Sequence, residues 1–575
     1  MVRKLKFRTL YCRGGGGDRY PQRVRRPPAH LNDYEVNISD EQVDQIHANI
    51  DYCYSASSVQ IPNSYNAAMK SPEAENWKQA MDAEMRALSD SKTYTLVELP
   101  PGKSTVGGRW VYCIKKNPDG SDLYKARYVA RGYTQVYGSD YFETFSPTAK
   151  MGSVRMLMQY AVQHDLLVHQ LDVKTAYLNA PIDCEIYMSQ PEGYLVEGKE
   201  QLVCCLQKSL YGLKQSGRNW NILLTDFLKN NGFVPTVADP CLYISKSKSE
   251  LILYWVDDIV AVCQTPNRMS KIKNILKGRF KMKDLGPLNH FLGMHFEHKN
   301  STITIDQTAY LNSILSKYNM MDCRPRATPC EVPGSKVQSA CPGTDLDPKK
   351  YREIVGSLIY ATTCTRPDLA WAVSRLSQNV SNPHDVDWVM LKHVLRYVKG
   401  SVEYKLCYSK CDSVLKITGF SDSDWASSTE DRRSTSGYVF YLNVNCSPIS
   451  WKSKKQPTVA LSSCEAEYMA LGLSTQEALY LERFKDCLSL SQEAVLLYSD
   501  SQSALGLIKN PVNHSRSKHI DIKHHFIREK LISGVIDYRY VLNDDNVADC
   551  FTKALAKPKL HSYLPKLLQL DPVRT

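Results

Sequence analysis

Two adjacent carboxylates, Asp257 and Asp258, stand between two short apolar runs of the chain. Each run has about the length of a strand and is rich in residues that favour strands, so the stretch predicts a β-hairpin with both carboxylates at its tip. An acidic pair beside so much apolar surface costs free energy unless a cation neutralises it. Mg²⁺ prefers carboxylate oxygens and would serve, whereas a plain Asp-Asp turn is the simpler interpretation of the dipeptide alone.

The stretch around the acidic pair resembles the YVDD-type motif of reverse transcriptases, with Trp255 where that family usually has tyrosine. The resemblance implies a third carboxylate upstream on a neighbouring strand; Asp172 fits, since the chain between it and Asp257 has room for the helices that separate two adjacent strands. The surrounding segments resemble the polymerase of copia-type LTR retrotransposons more closely still, and several long motifs in order are more specific than one short pattern. The segments that carry this resemblance are Tyr124–Gly132, Phe145–Pro147, Leu171–Leu178, Lys208–Gln215 and Tyr360–Asp368.

The resemblance implies a catalytic role for Asp172, Asp257 and Asp258, which would hold two Mg²⁺, or Mn²⁺ in their place. It also implies four residues that bind the incoming nucleotide, namely Lys125, Arg127, Tyr177 and Gln215. In reverse transcriptases the aromatic residue at the position of Tyr177 packs under the sugar and excludes a 2′-hydroxyl. For the two cations a solvated strand surface stays open as an alternative, and for Tyr177 an ordinary place in the core.

A second set of acidic residues lies in the C-terminal part of the chain, and its order of strand, hairpin, helix, strand and two helices resembles ribonuclease H. The predicted catalytic and metal-holding residues there are Asp422, Glu467, Asp500 and Asp549. Four carboxylates of this kind can hold two Mg²⁺ about 4 Å apart. The resemblance favours Asp422 over Asp424, because a strand-end position fits the family's first aspartate, and Glu467 over Glu465, because Glu-x-x-Ala followed by a helix is the family's pattern. The alternatives would be exposed charges at a turn and at a helix cap.

The composition places the chain among globular proteins of three or four domains, with 575 residues, 43% of them hydrophobic and 23% charged. A formal net charge of +12 favours a polyanionic partner. The 18 cysteines show no CxxC pair or zinc-ligand spacing, which predicts reduced thiols in an intracellular protein, in a cytoplasmic particle, the nucleus or both. Because no apolar run is long enough to span a bilayer and the N-terminus lacks the apolar core of a secretory signal, no membrane partner is expected.

The predicted fold class is multidomain α/β and α+β: a right-hand polymerase with fingers, palm and thumb, a connection segment, and a ribonuclease H-like α/β domain. A fingers hairpin is expected over residues 106–133 with its turn at Asn117–Gly120. The basic segment His514–His519 either grips phosphates or forms a solvated surface. The predicted divisions are a disordered linker at 1–75, the reverse transcriptase at 76–322, a linker and helical connection at 323–413, the ribonuclease H-like domain at 414–560 and a C-terminal tail at 561–575.

The resemblance therefore implies an RNA-directed and DNA-directed DNA polymerase with ribonuclease H activity. Its expected partners are an RNA template, a DNA primer or RNA–DNA hybrid and deoxynucleoside triphosphates, with integrase and a gag-derived particle as further partners. The alternative is a catalytically decayed or domesticated remnant that only binds nucleic acid. Trp255, and Gly217 in place of the family's proline, favour that alternative, and the retention of all seven acidic residues opposes it.

Overall fold

The computed structural model describes residues 61–116, 121–332, 347–428, 430–509 and 521–570, which belong to one compact unit. Three features of the sequence lie outside the described residues: the turn at Asn117–Gly120, the basic segment His514–His519 and residues 1–60 of the expected linker. In the described ranges, none of the helices has the length and apolar character that a membrane span requires.

The elements of residues 61–332 alternate between short helices and strands. The strands are β1 (Tyr94–Val97), β2 (Thr105–Val106), β3 (Gly108–Lys116), β4 (Asp122–Ala130), β5 (Leu167–Val173), β6 (Tyr187–Met188), β7 (Val203–Leu206), β8 (Phe233–Pro235), β9 (Leu242–Ser245), β10 (Glu250–Trp255), β11 (Asp258–Cys263), β12 (Met282–Pro287), β13 (His290–Phe291), β14 (Met294–Lys299) and β15 (Thr302–Asp306). The helices are α1 (Tyr65–Met69), α2 (Ala74–Asp90), α3 (Met151–Gln163), α4 (Ala176–Asn179), α5 (Ser216–Asn230), α6 (Pro266–Arg279) and α7 (Thr308–Lys317).

The elements of residues 347–570 begin with three helices and continue as an α/β domain. The strands are β16 (Leu406–Ser409), β17 (Thr418–Ser423), β18 (Thr435–Tyr441), β19 (Ser450–Lys455), β20 (Val495–Ser499) and β21 (Ile536–Tyr540). The helices are α8 (Pro348–Cys364), α9 (Ala370–Ser377), α10 (Asp385–Gly400), α11 (Ser463–Glu482), α12 (Phe484–Leu488), α13 (Gln502–Lys509), α14 (Asp521–Ile532) and α15 (Lys557–Leu567).

The fingers are built from the β3–β4 hairpin, which confirms the predicted antiparallel pair, and from the sheet β1–β7–β6–β2. Trp77 on α2 is fully buried, and its ring contacts that of Tyr112 on β3 edge-on, with 5.2 Å between the ring centroids. Order begins earlier than predicted, because α1 lies inside the expected linker. Its first turn is capped by the Ser64 hydroxyl, which accepts the N–H of Ala67 at 3.2 Å, and Ala68 is buried.

The palm is a six-stranded sheet with the order β12–β5–β11–β10–β9–β8. Its central strands read as continuous apolar runs because they are covered on both faces: Leu251, Leu253, Ile259 and Val262 are all at most 2% exposed. The hairpin of β14 and β15, which precedes α7, then pairs with β16, the strand that follows the connection helices. This arrangement leaves the tip of the β10–β11 hairpin at the end of a rigid sheet.

The sequence pattern over residues 351–399 predicts two helices, and the structure has three there, α8, α9 and α10. Helix α8 ends at Cys364, shortly before Arg366 and Pro367. Pro367 has no N–H to continue the helical hydrogen bonds, and it disfavours helical backbone angles at Arg366. Arg366 is fully buried there and forms two hydrogen bonds with the Asp368 carboxylate, at 2.9 and 2.7 Å. The Tyr397 hydroxyl on α10 donates to the same carboxylate at 2.8 Å, so the break between helices is a fixed corner.

The C-terminal domain is a five-stranded sheet with the order β19–β18–β17–β20–β21, in which β17, β20 and β21 run parallel. The helix α11 packs on this sheet, and the predicted order of strand, hairpin, helix and strand is confirmed. The predicted division at residue 560 falls inside α15, whose Leu560, Tyr563 and Leu564 are buried. Residues 561–567 are therefore packed helix and not a tail.

A single arginine joins the palm to the connection and to the C-terminal sheet. Arg155 on α3 is buried, and its Nε donates to the Ile449 carbonyl oxygen at 2.7 Å. Its Nη1 donates to the carbonyl oxygens of Thr363 and Cys364 at 2.7 and 2.9 Å. The guanidinium also lies 3.9 Å from the ring centroid of Trp451 on β19. These contacts fall on two other segments, the end of α8 and the start of β19, so Arg155 couples α3 to both.

Candidate active sites

The first set of carboxylates lies where two neighbouring strands of the palm end. β10 and β11 form the predicted hairpin, with Asp257 and Asp258 at its tip. Asp172 on β5 pairs directly with Asp258 across the antiparallel ladder, which puts both side chains on one face of the sheet. The N–H of Val173 also donates to the Asp257 carbonyl oxygen at 2.9 Å. The structure therefore brings all three predicted polymerase carboxylates to one end of the sheet.

The tip of this hairpin is strained and is held from outside. Val256 has φ +55°, a left-handed conformation that a β-branched side chain rarely adopts. The indole Nε1 of Trp220 on α5 donates to the Val256 carbonyl oxygen at 2.6 Å. Asn221 on the same helix donates to the hydroxyl of Tyr254. Sequence reasoning missed Trp220, and no local spacing could have found it, because the contact joins segments that are distant in the chain.

The carboxylates repel one another in a partly dehydrated site. Burial, and then the charge of Asp257, raise the pKa of Asp258 to about 7, although Gln170 donates to Asp258 at 3.0 Å and opposes this shift. Burial and the charge of Asp257 also raise the pKa of Asp172, while Lys125, Lys115 and Arg127 lower it. These two carboxylates therefore share a site in which added positive charge is favourable.

Three of the four predicted nucleotide-binding residues lie close to these carboxylates. Lys125 and Arg127 are on β4 of the fingers, and their charges act on Asp172. The Arg127 guanidinium carbon lies 4.5 Å from the ring centroid of Tyr211. That ring in turn contacts Tyr177, with 4.6 Å between the centroids. The geometry thus places two cations near Asp172, and Tyr211, on which the charges of Asp257 and Asp172 also act, links Arg127 to the half-buried Tyr177.

Gln215, the fourth predicted nucleotide contact, is fully buried and both ends of its amide are engaged within the protein. Its Nε2 donates to the Asp140 carbonyl oxygen at 2.8 Å, and its Oε1 accepts from the amide of Gln135 at 3.0 Å. In this structure Gln215 therefore holds the loop that contains Asp140, and a contact with a nucleotide stays a prediction that requires this loop to move. Gly217 lies in the first turn of α5, which begins normally at Ser216.

The second set of carboxylates is collected from separate elements of the C-terminal domain. Asp422 lies on β17, Asp500 directly follows β20, and Asp549 lies in a short 3₁₀ helix at Val547–Phe551. One carboxyl oxygen from each lies within 4.8 Å of the other two, and Asp422 and Asp549 are buried. Among the described residues, this is the one set of three potential metal ligands whose ligand atoms all lie within 4.8 Å of one another. The three polymerase carboxylates are farther apart than this.

The structure distinguishes the predicted site residues Glu467 and Asp422 from their acidic neighbours Glu465 and Asp424. Glu467 on α11 accepts the N–H of Ser423 at 3.1 Å with Oε1, while its Oε2 is buried with no hydrogen-bond partner. Glu465 instead caps the start of α11 by accepting the N–H of Leu461 at 2.8 Å. Asp424 accepts the N–H of Thr435 at 2.7 Å and organises the loop after β17. The two residues that were not chosen therefore have structural roles.

Two lysines that sequence reasoning missed enter the second site. The Lys553 ammonium lies 2.6 Å from Asp549 and 3.8 Å from Asp422, and Lys559 lies 2.6 Å from Asp549. The Thr552 hydroxyl donates to Asp422. Lys553 follows Asp549 by four residues, a spacing that pairs opposite charges on one face of a helical turn and could have indicated the contact. Lys559 comes from the separate helix α15 and carries no such signal.

Unbalanced negative charge is also unfavourable in the second site. Burial raises the pKa of Asp422 to about 8, although the Lys553 ammonium opposes this shift. Burial, followed by the charges of Asp422 and Asp500, raises the pKa of Glu467 well above its usual range. Burial and the charge of Asp549 raise the pKa of Asp500. The raised pKa values show that these carboxylates lack enough positive charge around them, and Glu467 has a buried oxygen with no partner. Their oxygens are therefore suitable ligands for a divalent cation.

The comparisons with known proteins place these sites in a family. Residues 91–332 match the family described as reverse transcriptase (RNA-dependent DNA polymerase). Over 509 residues, 87% of this chain and 38% of the relative, the chain is 39% identical to the Retrovirus-related Pol polyprotein from transposon TNT 1-94 of Nicotiana tabacum. It is 30% identical to a transposon Ty5-1 protein of Saccharomyces cerevisiae over 313 residues. This alignment covers 53% of this chain and 100% of that protein.

Among solved structures, the foamy viral protease-reverse transcriptase dRH in complex with double-stranded DNA matches 91% of this chain and 84% of its own, at 13% identity and a TM-score of 0.45. The fold and the palm site define a reverse transcriptase region. The chain belongs to the Pol polyproteins of copia-type LTR retrotransposons. It spans about a third of the length of the first Pol polyproteins that it matches.

Proposed function

We propose that this chain copies RNA, and then DNA, into DNA at the palm carboxylates and removes the RNA of the resulting hybrid at the C-terminal carboxylates. The observation that supports this most directly is the pairing of Asp172 with Asp258 across the palm ladder, next to the basic fingers strand. A second carboxylate set on a separate sheet supports a second reaction.

In the proposed polymerase site, Asp172, Asp257 and Asp258 would hold Mg²⁺, with Mn²⁺ as a substitute. The bound metal would supply charge that activates the attacking oxygen and stabilises the leaving group. Lys125 and Arg127 would bind the triphosphate through charge-assisted hydrogen bonds. Tyr177 would limit the space beside the sugar, which favours a deoxyribonucleotide over a ribonucleotide.

In the proposed ribonuclease H site, Asp422, Glu467, Asp500 and Asp549 would hold the metal. Lys553 and Lys559 now neutralise Asp549, and we infer that they withdraw toward the backbone of the substrate when metal is bound. Hybrid contacts should be to phosphates and sugars, which carry no sequence preference of their own.

The proposed partners follow from the same reactions: an RNA template, a DNA primer, the hybrid and deoxynucleoside triphosphates. Integrase and a gag-derived particle are proposed partners of the polyprotein to which the relatives belong. The proposed location is intracellular, in a cytoplasmic particle, the nucleus or both, where the chain's thiols stay reduced.

The test is to incubate the purified chain with Mg²⁺ and a DNA primer annealed to an RNA template, and separately with a labelled RNA–DNA hybrid. We expect primer extension in the first reaction and shortening of the RNA in the second. Binding of both substrates with neither reaction, in Mg²⁺ and in Mn²⁺, would support the decayed or domesticated alternative.

A further inference from the structure

A cavity of about 240 Å³ lies at one side of the second carboxylate set. Its walls come from α9, from β19, from the loop that follows β17, from the first residue of β18 and from residues 552–554. It thus joins the connection helices to the ribonuclease H-like domain. Of its lining residues, Thr552 and Lys553 are also contacts of Asp422 and Asp549 in the second site.

The side chains around the cavity are suited to an anion. Among the described residues that line it, three are cationic and none is acidic; the cations are Arg375, Lys455 and Lys553. Most of the remaining lining residues carry hydroxyl groups, which can donate hydrogen bonds. The Ser453 hydroxyl oxygen is buried and has no hydrogen-bond partner within the protein. A buried hydroxyl of this kind costs free energy until a ligand or water satisfies it.

The cations of the outer wall are held by weak partners. Arg375 lies 3.5 Å from Glu430, and Lys455 lies 3.0 Å from Asp431. The side chains of Glu430 and Asp431 are 57% and 37% exposed. Because exposed ion pairs contribute only about 0–1 kcal/mol, a phosphate in the cavity could replace these partners at little cost.

The cavity is continuous with the second carboxylate set. Ser453 pairs with Gly437, which pairs with Asp422, so the three residues form one row on the same face of the sheet. Thr552 lines the cavity and donates its hydroxyl to Asp422. Lys553 also lines the cavity and reaches Asp549 at 2.6 Å. A group in the cavity would therefore be a near neighbour of a group held by the carboxylates.

We propose that this cavity binds one phosphodiester of the nucleic-acid backbone, next to the phosphodiester that is cut. The inference rests on the proposed hybrid cleavage for its substrate. A phosphate at the carboxylates has neighbouring phosphates along its strand, and this cavity offers cations and hydroxyl donors beside that position. The connection helix α9 contributes Arg375, so the docked backbone would contact two domains at once.

The first experiment measures equilibrium binding of an RNA–DNA hybrid by the full chain without divalent metal, so that binding is separated from cleavage. Arg375→Gln and Lys455→Gln should each raise Kd about tenfold and reduce the slope of log K against log[salt] by about 1. The matched control is Lys392→Gln, which removes an exposed lysine of α10 that does not line the cavity. If both cavity variants match Lys392→Gln in Kd and in slope, the proposal is overturned.

The second experiment identifies the strand. Hybrids with one neutral methylphosphonate are compared for the wild-type chain and for Arg375→Gln. At the contacted position the two proteins should bind equally, because the charge that Arg375 contacts has been removed. If the two proteins bind equally at one methylphosphonate position, the strand that contains this position is the one that the cavity binds. If no position in either strand gives equal binding, the proposal is overturned. Cavity-dependent binding by a wild-type chain that cleaves no hybrid would instead refute only the proposed cleavage.

Discussion

The palm site and the C-terminal site solve the same electrostatic problem in different ways. In the palm, two of three carboxylates share a hairpin tip, and the nearby cations belong to the fingers, on the paired strands β3 and β4. In the C-terminal domain the carboxylates come from four elements, and two lysines of the same domain, Lys553 and Lys559, already contact Asp549. Charge balance is thus supplied by another subdomain in the first site and locally in the second.

This difference has a mechanical consequence. The palm carboxylates depend on the position of a hairpin tip, which is fixed by Trp220 and β5. The C-terminal carboxylates depend on packing, since Asp422 and Asp549 are at most 2% exposed. A small displacement should therefore harm the palm site most, whereas an uncompensated charge should harm the C-terminal site most.

The largest expected effect is a clean separation of the two reactions. Asp257→Asn should reduce primer extension about 10³-fold, which corresponds to about 4 kcal/mol of transition-state stabilisation, and leave hybrid cleavage within twofold of wild type. Asp549→Asn should do the reverse. Both variants are assayed for both reactions with Mg²⁺. Loss of both activities in a folded Asp257→Asn chain would contradict the two-site assignment.

A smaller effect is expected from loosening the hairpin tip. Trp220→Phe removes the N–H that holds the Val256 carbonyl oxygen, and a shift of about 1 Å at a reacting centre can cost a hundredfold. We expect primer extension to fall tenfold to a hundredfold while hybrid cleavage is unchanged. Trp388→Phe is the matched control, because the Trp388 indole N–H has no hydrogen-bond partner. Equal effects of the two substitutions on primer extension would show that the tip does not need this support.

The burial of Asp422 predicts a pH-dependent difference in stability without metal. Because the folded-state pKa is about 8, the folded chain keeps a proton that the unfolded chain, with a pKa near 3.9, has released. Stability therefore falls as pH rises through this interval, by at most about 1.4 kcal/mol per pH unit for this group. Asn does not titrate, so Asp422→Asn lacks this loss of stability. The thermal midpoint of Asp422→Asn minus that of wild type should therefore grow from pH 5 to pH 8 and then level off.

With roughly 2 cal/mol/K of unfolding entropy per residue, this difference amounts to about 1 °C per pH unit, measured by calorimetry in a metal-free buffer. Asp412→Asn, at an exposed position, is the control in which no growth is expected. A difference between Asp422→Asn and wild type that does not change with pH would mean that Lys553 and Thr552 fully balance the carboxylate.

The smallest expected effect concerns Trp255, which pairs with Asp258 across the hairpin. Its indole Nε1 is buried without a hydrogen-bond partner. The flanking apolar residues and both aspartates are retained, so we expect the site to have adapted to the larger ring. Trp255→Tyr should change primer extension by less than about threefold. A gain of tenfold or more, about 1.4 kcal/mol, would identify Trp255 as damage to the element.

The parts of the structure that the sequence could predict are those with a local signal. Strand-length apolar runs on both sides of Asp257 and Asp258 indicated the hairpin, and a proline after Arg366 marked the extra helix break that we did not predict. The burial of Gln215 had no such signal, because it depends on a loop about 75 residues away. The same holds for Trp220 and Lys559, whose contacts exist only when distant segments pack together.

The contacts of Arg155 have a consequence for how far apart the two proposed reactions occur. This side chain ties the palm helix α3 to the connection and to β19, and a continuous hydrophobic core extends from the palm strands into the C-terminal sheet. Two sites on one rigid support are separated by a constant length of duplex. When the primer end stalls in the palm site, the RNA should therefore be cut at a nearly constant number of base pairs behind it, whatever the RNA sequence.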